Sequence, residues 1–204
     1  MNKVLTVFIA ALLVSLFSVS GQSIVNAGST GGCIPVRSLS EDLLAFGAGE
    51  RLKFTMHYEW GTLDSDVGWA TVGLDTVRFN GQKAFHCHAY GRATKLYDLF
   101  FTVDGLVPLK FTRNTNEGRY EARNVYSYMW NAADSASIAA DVYTTTSGHR
   151  HVVMPLDKCT FDLPALFFFA RNMDFSKVEP NVKYPMTFAI DDDIYNVYFI
   201  LRGR

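Results

Sequence analysis

The chain has 204 residues, 49% of them apolar and 14% aromatic, which excludes a disordered segment and a small disulfide scaffold. Lys and Arg number 19 against 20 Asp and Glu, a net charge of −1, so no basic surface advertises nucleic acid as a partner.

Residues 1–20 read as an export signal. Lys3 supplies the positive start, Val4 to Val19 form an apolar segment, and Ser18-Val19-Ser20 and Val19-Ser20-Gly21 offer small residues for cleavage. Val25-Asn26-Ala27 is a later option, moving the cut as far as residue 27. The apolar run is shorter than a membrane-spanning helix requires, so no transmembrane span is expected after cleavage. Removal of residues 1–20 takes one lysine and leaves −2. The expected location is the periplasm or cell envelope. Cys33 lies behind Thr30-Gly31-Gly32, too far past the apolar segment for lipid attachment. Cys33, Cys87 and Cys159 allow at most one disulfide: buried thiols are one reading and a Cys87–Cys159 bridge the other.

Residues 21–40 are Gly/Ser-rich without a periodic apolar pattern, and 21–43 are expected to form a flexible arm. From Phe46 onward the period is two. Leu52, Phe54, Met56, Tyr58 and Trp60 alternate with Lys53, Thr55, His57 and Glu59, predicting a strand. Asn80-Gly81 predicts a hairpin turn between 68–79 and 83–92, and Asp104-Gly105 another between 95–103 and 106–113. Asn114 to Gly118 predict a loop before a long strand, 119–130, with Tyr120, Ala122, Asn124, Tyr126, Tyr128 and Trp130 on one face. A further hairpin is expected around Ser147-Gly148. Asp162 as cap and Pro164 in the first turn predict one short helix near residues 162–172; its Phe167-Phe168-Phe169 run cannot share one face, so it should be enclosed on several sides. A last hairpin turns at Asp191-Asp192-Asp193. The fold class predicted is all-β, mainly antiparallel, as a curved meander or half-open barrel with that single helix.

Phe46-Gly47-Ala48-Gly49-Glu50, Tyr58-Glu59-Trp60-Gly61, Gly68-Trp69-Ala70, His88-Ala89-Tyr90-Gly91-Arg92, Asp98-Leu99-Phe100-Phe101-Thr102-Val103, Leu109-Lys110-Phe111, Asn116-Glu117-Gly118-Arg119-Tyr120 and the segment from Asp162 to Arg171 resemble an exported bacterial family catalogued as domain of unknown function 3108. The resemblance spans roughly 44–204. It implies an exported, curved antiparallel β-protein with no established activity and no catalytic residues to carry over. Family domains continue with further strands, whereas this chain stops at Arg204 after a strand with apolar groups on both faces. The expectation is therefore a single β-domain, 44–204, truncated at its C-terminus and open to self-association through an edge strand.

Candidate chemistry is sparse. There is no G-x-S-x-G, H-E-x-x-H, P-loop or G-x-G-x-x-G pattern, so no catalytic residue is named and no cofactor is implied. His86 with His88, and His149 with His151, are spaced to share strand faces and form a candidate metal set if their strands are neighbours. Carboxylates such as Glu59, Asp98, Glu117 and Glu121 are expected to pair with Arg92, Arg113, Arg119 or Arg123 at a solvated surface. Trp60, Trp69, Tyr90, Tyr126, Tyr128 and Trp130 form a candidate ligand-binding aromatic set. The leading functional expectation is non-catalytic binding or carriage of an apolar or amphipathic envelope molecule, a lipid or glycan, or support of envelope assembly. The alternative is an enzyme acting on envelope glycans or lipids, metal-assisted or not.

Overall fold

A computed structural model describes residues 34–60, 63–91, 94–130, 136–157 and 159–202, with side chains except at 56, 58–60, 63–67, 94, 95 and 117. The expected export signal and its cleavage sites lie outside the described residues. Among these residues no helix is long and apolar enough to cross a membrane.

Eight strands follow one another as an uninterrupted antiparallel meander: β1 (Arg51–Trp60), β2 (Leu63–Phe79), β3 (Gln82–Gly91), β4 (Thr94–Thr102), β5 (Pro108–Glu117), β6 (Tyr120–Met129), β7 (Ser137–Thr144) and β8 (Gly148–Pro155). The sheet does not close into a barrel; β1 and β8 stand at its two ends. Turn chemistry sets the register. Asn80 and Gly81 both have positive φ, 48° and 83°, the pairing a two-residue hairpin needs to match strand twist. The loop predicted at 114–118 is instead mostly strand: Glu117 faces Tyr120 across a two-residue turn. Gly118, at φ 66°, makes a turn that tight accessible, so the polar run Asn114–Glu117 remains paired.

Alternation along the strands divides the sheet into two faces. β6 buries Ala122, Asn124, Tyr126 and Tyr128 and exposes the residues between them. Cross-strand partners share a face, so Leu74, Cys87, Leu99, Phe111, Tyr126 and Ala140 belong to the same buried side. We call this the inner face.

A second layer covers it. Short β9 (Thr160–Phe161), helix α1 (Leu163–Arg171), β10 (Tyr184–Ile190) and β11 (Asp193–Phe199) form a three-stranded sheet, ordered β11-β10-β9, with one helix. β9 pairs with β10 in parallel, the one departure here from the predicted run of hairpins. Asp162 caps α1, its Oδ1 accepting from the Ala165 N–H at 2.8 Å. The three phenylalanines do part company: Phe168 is 1% exposed against Phe46 and Phe101, Phe169 meets Phe161, and Phe167 meets Phe54. Burying one such ring stabilises the fold by roughly 1.5–3 kcal/mol.

Residues 34–43, the described part of the expected flexible arm, dock on the fold together with Ala45 just beyond it. Ile34 is buried, Val36 bridges Met173, Arg37 donates its N–H to Asn172 O, and Ala45 donates to Asn172 Oδ1. Asn172 is itself buried, and its amide also donates to Phe168 O. One asparagine thus ties the arm to the C-terminal end of α1. Cys159 is disulfide-bonded whereas Cys87 is a free, buried thiol, so the Cys87–Cys159 bridge does not form. Cys33, the remaining cysteine, lies outside the described residues.

Candidate functional site

Of the aromatic candidates, Tyr126 and Tyr128 are inner-face core. Tyr126 OH donates to the carbonyl of Asp191 at 2.6 Å, and Tyr128 OH donates to Asp162 Oδ2. Trp69 and Tyr90 fall on the opposite, outer face, in register with Thr55 and Thr71 respectively. Trp130, just past β6, is 39% exposed and donates its indole N–H to Pro108 O at 2.8 Å. The Trp60 side chain lies outside the described residues. The five described rings are spread over two faces and do not line one groove; strand alternation alone cannot tell that β3 and β6 turn their aromatic series to opposite sides.

Two polar groups anchor the second layer on the inner face. At the β10–β11 turn, Asp191 Oδ1 accepts from Arg113 Nη1 and from Asn124 Nδ2, each at 2.9 Å. Arg113 is 6% exposed and Asn124 1%, so Arg113 is not at the solvated surface expected of it. The predicted acidic turn is present, yet its first carboxylate is a plug into the sheet. Arg150 adds an ion pair to Asp192 at 2.5 Å. The second group is Asp162, fully buried between Tyr128 and the start of α1. Burial pushes its carboxyl up to about 6, against the opposing pull of the Tyr128 and Ala165 hydrogen bonds. Burial likewise pushes the Cys87 thiol far above its ordinary range, which leaves it unreactive.

The histidine pairs occupy the outer face, but not together. His86 and His88 sit on β3, His149 and His151 on β8, five strand spacings away, or about 24 Å along the sheet. His86 Nε2 is 2.7 Å from Asp98 Oδ1 and its ring stacks on Phe100 at 4.3 Å. His88 Nδ1 lies 3.6 Å from Asp75 Oδ2. Arg51 hydrogen-bonds Asp75 and holds that carboxyl below its usual value; desolvation lowers His88. Each β3 histidine therefore answers to its own carboxylate.

His88 also explains a glycine. A Cβ on Gly73, its partner on β2, would stand 2.2 Å from His88 Nε2, so the ring lies directly on bare backbone. Gly73→Ala is expected to displace the imidazole and cost about 1–3 kcal/mol as overpacking. Urea unfolding measures this, and adding His88→Ala should recover most of the loss; equal losses with and without His88 would contradict the contact.

β8 is different. His149 hydrogen-bonds Asp141 on β7, and His151 Nδ1 stands 3.7 Å from Asp141 Oδ2. One ligand atom from each of the three lies within 4.8 Å of the others. The sequence reading missed Asp141, although a hairpin around Ser147-Gly148 sets it opposite His151. Beside the triad, Glu121, Arg123, Val125, Asp141, Tyr143 and His149 line a shallow depression of about 300 Å³.

At the other end of the sheet the inner face carries an apolar strip. Phe54 of β1 is 39% exposed and meets Phe167 of α1 edge-on, ring centroids 6.0 Å apart. Leu52 and Val72 face each other beside it, both half-buried. Arg171 lies over the Phe167 ring at 5.6 Å and pairs with Glu50 at 2.5 Å. This strip has an apolar floor and a charged rim.

An open antiparallel meander backed by a helix and a small sheet, with a buried polar seam between the layers, is the class of protein these residues define. The chain belongs to the family described as protein of unknown function DUF3108, whose profile matches residues 53–204. No curated protein and no solved structure matches significantly.

Proposed function

We propose that this is an exported envelope protein that binds or carries an apolar or amphipathic molecule, a lipid or a lipid-linked glycan, without transforming it. The observation that carries the reading is the Phe54–Phe167 pair: two aromatic rings left in partial contact with water at the β1–β2 end of the inner face. Apolar surface rimmed by charge is the arrangement in which a ligand's tail lies on the rings while its polar end stays near Arg171 and Glu50. The apolar segment at residues 4–19 supports an envelope setting for such a ligand.

Titration with a single-chain fatty acid, below its micelle concentration and in competition with an environment-sensitive apolar dye, tests this. Phe54→Ser should weaken binding about tenfold or more, since it removes most of one ring's apolar area, roughly 1.5 kcal/mol or more. Its effect on stability should be smaller, because the ring is already partly wet. Unchanged binding in Phe54→Ser would sink the assignment. The reading as a metal-assisted enzyme on envelope glycans or lipids is favoured by one observation, the Asp141–His149–His151 group.

A further inference from the structure

The geometry points to a divalent-metal site formed by Asp141, His149 and His151 on the outer face of β7 and β8. It does not depend on the apolar strip, which occupies the other face at the opposite end of the sheet. His149 and His151 are two apart on one strand and so project to the same side, and Asp141 is the direct cross-strand partner of His151. The carboxylate already touches one imidazole and stands 3.7 Å from the other. A tetrahedral Zn²⁺ with bonds of ~2.0–2.2 Å holds its ligand atoms about 3.3–3.6 Å apart. The three ligand atoms, within 4.8 Å of one another, need only side-chain rotation to reach that spacing. Side-chain exposures of 48%, 56% and 72% for Asp141, His149 and His151 keep such rotation inexpensive.

Charge around the group permits a cation. Arg150, between the two histidines, turns to the inner face and pairs with Asp192. Arg123, on the outer face nearby, is paired with Glu121 at 3.6 Å. Two imidazoles and one carboxylate select a borderline ion, Zn²⁺, Ni²⁺ or Cu²⁺, over Mg²⁺ or Ca²⁺. Three protein ligands leave at least one position to water or a second ligand, and Asp141 and His149 also line the depression shared with Glu121, Arg123 and Tyr143. The β3 histidines take no part.

The test is calorimetric titration of Zn²⁺ into mature protein carrying no polyhistidine tag. One equivalent should bind saturably. His149→Ala, His151→Ala and Asp141→Asn should each weaken it at least about tenfold, since even the outer partners of metal ligands are worth 10–100-fold. The double variant His86→Ala, His88→Ala should bind as the parent does. Circular dichroism confirms that each variant is folded, as the exposure of the three residues leads one to expect. Absence of saturable binding, binding that survives the β7 and β8 substitutions, or binding lost only in the β3 double variant would each overturn the site.

Discussion

Asp191→Ala is expected to destabilise the protein by about 3 kcal/mol, read as a lower urea midpoint with unchanged slope. The cause is the group left behind. Arg113 is nearly fully buried and loses its carboxylate, while Asn124 Nδ2 loses its acceptor. Removal of one partner from a buried ion pair costs ~3–5 kcal/mol, and the lower end applies because the Asp191 side chain is 29% exposed and water can reach the gap. Asp191 also has φ 52°, a left-handed conformation that aspartate and asparagine tolerate better than alanine. Asp191→Asn separates the two effects by keeping the turn and a hydrogen-bonding side chain. In an Asp191→Asn background, Arg113→Met should restore stability, since no charge then remains buried. A loss below about 1 kcal/mol for Asp191→Ala would show that the turn is not a plug into the sheet.

The second large effect concerns Asp162 and pH. In the unfolded chain its carboxyl titrates at the ordinary value of 3.8, and in the folded protein at about 6, because burial opposes ionisation. Below pH 3.8 both states hold the proton and the burial of Asp162 carries no charge penalty. Between pH 3.8 and about 6 the unfolded chain ionises while the folded protein keeps the proton on its buried carboxyl, so about 3 kcal/mol of stability is lost across that window; above about 6 both states are ionised and the penalty is constant. Other carboxylates act in the opposite direction, since Asp75 and Asp174 are held below their usual value. The Asp162 contribution is therefore read as the stability difference between the parent and Asp162→Asn: the variant should gain about 3 kcal/mol relative to the parent between pH 3 and pH 7. Tyr128→Phe should do the reverse. It strips the carboxylate of its phenol donor, raises the Asp162 carboxyl further, and costs about 1–3 kcal/mol at pH 7 but less at pH 4. A pH-independent difference for both variants would contradict a buried, titrating carboxyl.

Much of the meander was legible because its signals are local. Asn80-Gly81 fixes one hairpin through backbone conformation, and period-two burial from Ala122 to Tyr128 fixes one face of β6. The helix was legible for the same reason: cap, proline and apolar run sit within ten residues. The seam was not. Arg113 and Asp191 are 78 positions apart, and neither residue advertises burial; a charged side chain is ordinarily read as solvated. The candidate sites divide along the same line. His149 and His151 share a face by spacing alone, and hairpin register brings Asp141 to them, whereas joining them to His86 and His88 needed a strand order that the sequence does not encode locally. The exposed Phe54 depends on which part of the sheet the second layer leaves open, which only the assembled layers decide.

Ligand-induced NMR shifts test the central claim, that the uncovered apolar strip is where an amphipathic molecule binds. With a single-chain fatty acid added below its micelle concentration, saturable shifts should concentrate on Leu52, Phe54, Val72, Phe167 and Arg171, leaving His149 and His151 unmoved. Shifts that fail to saturate, or that gather on the outer face of β6 to β8 while the Phe54 region stays still, would contradict it.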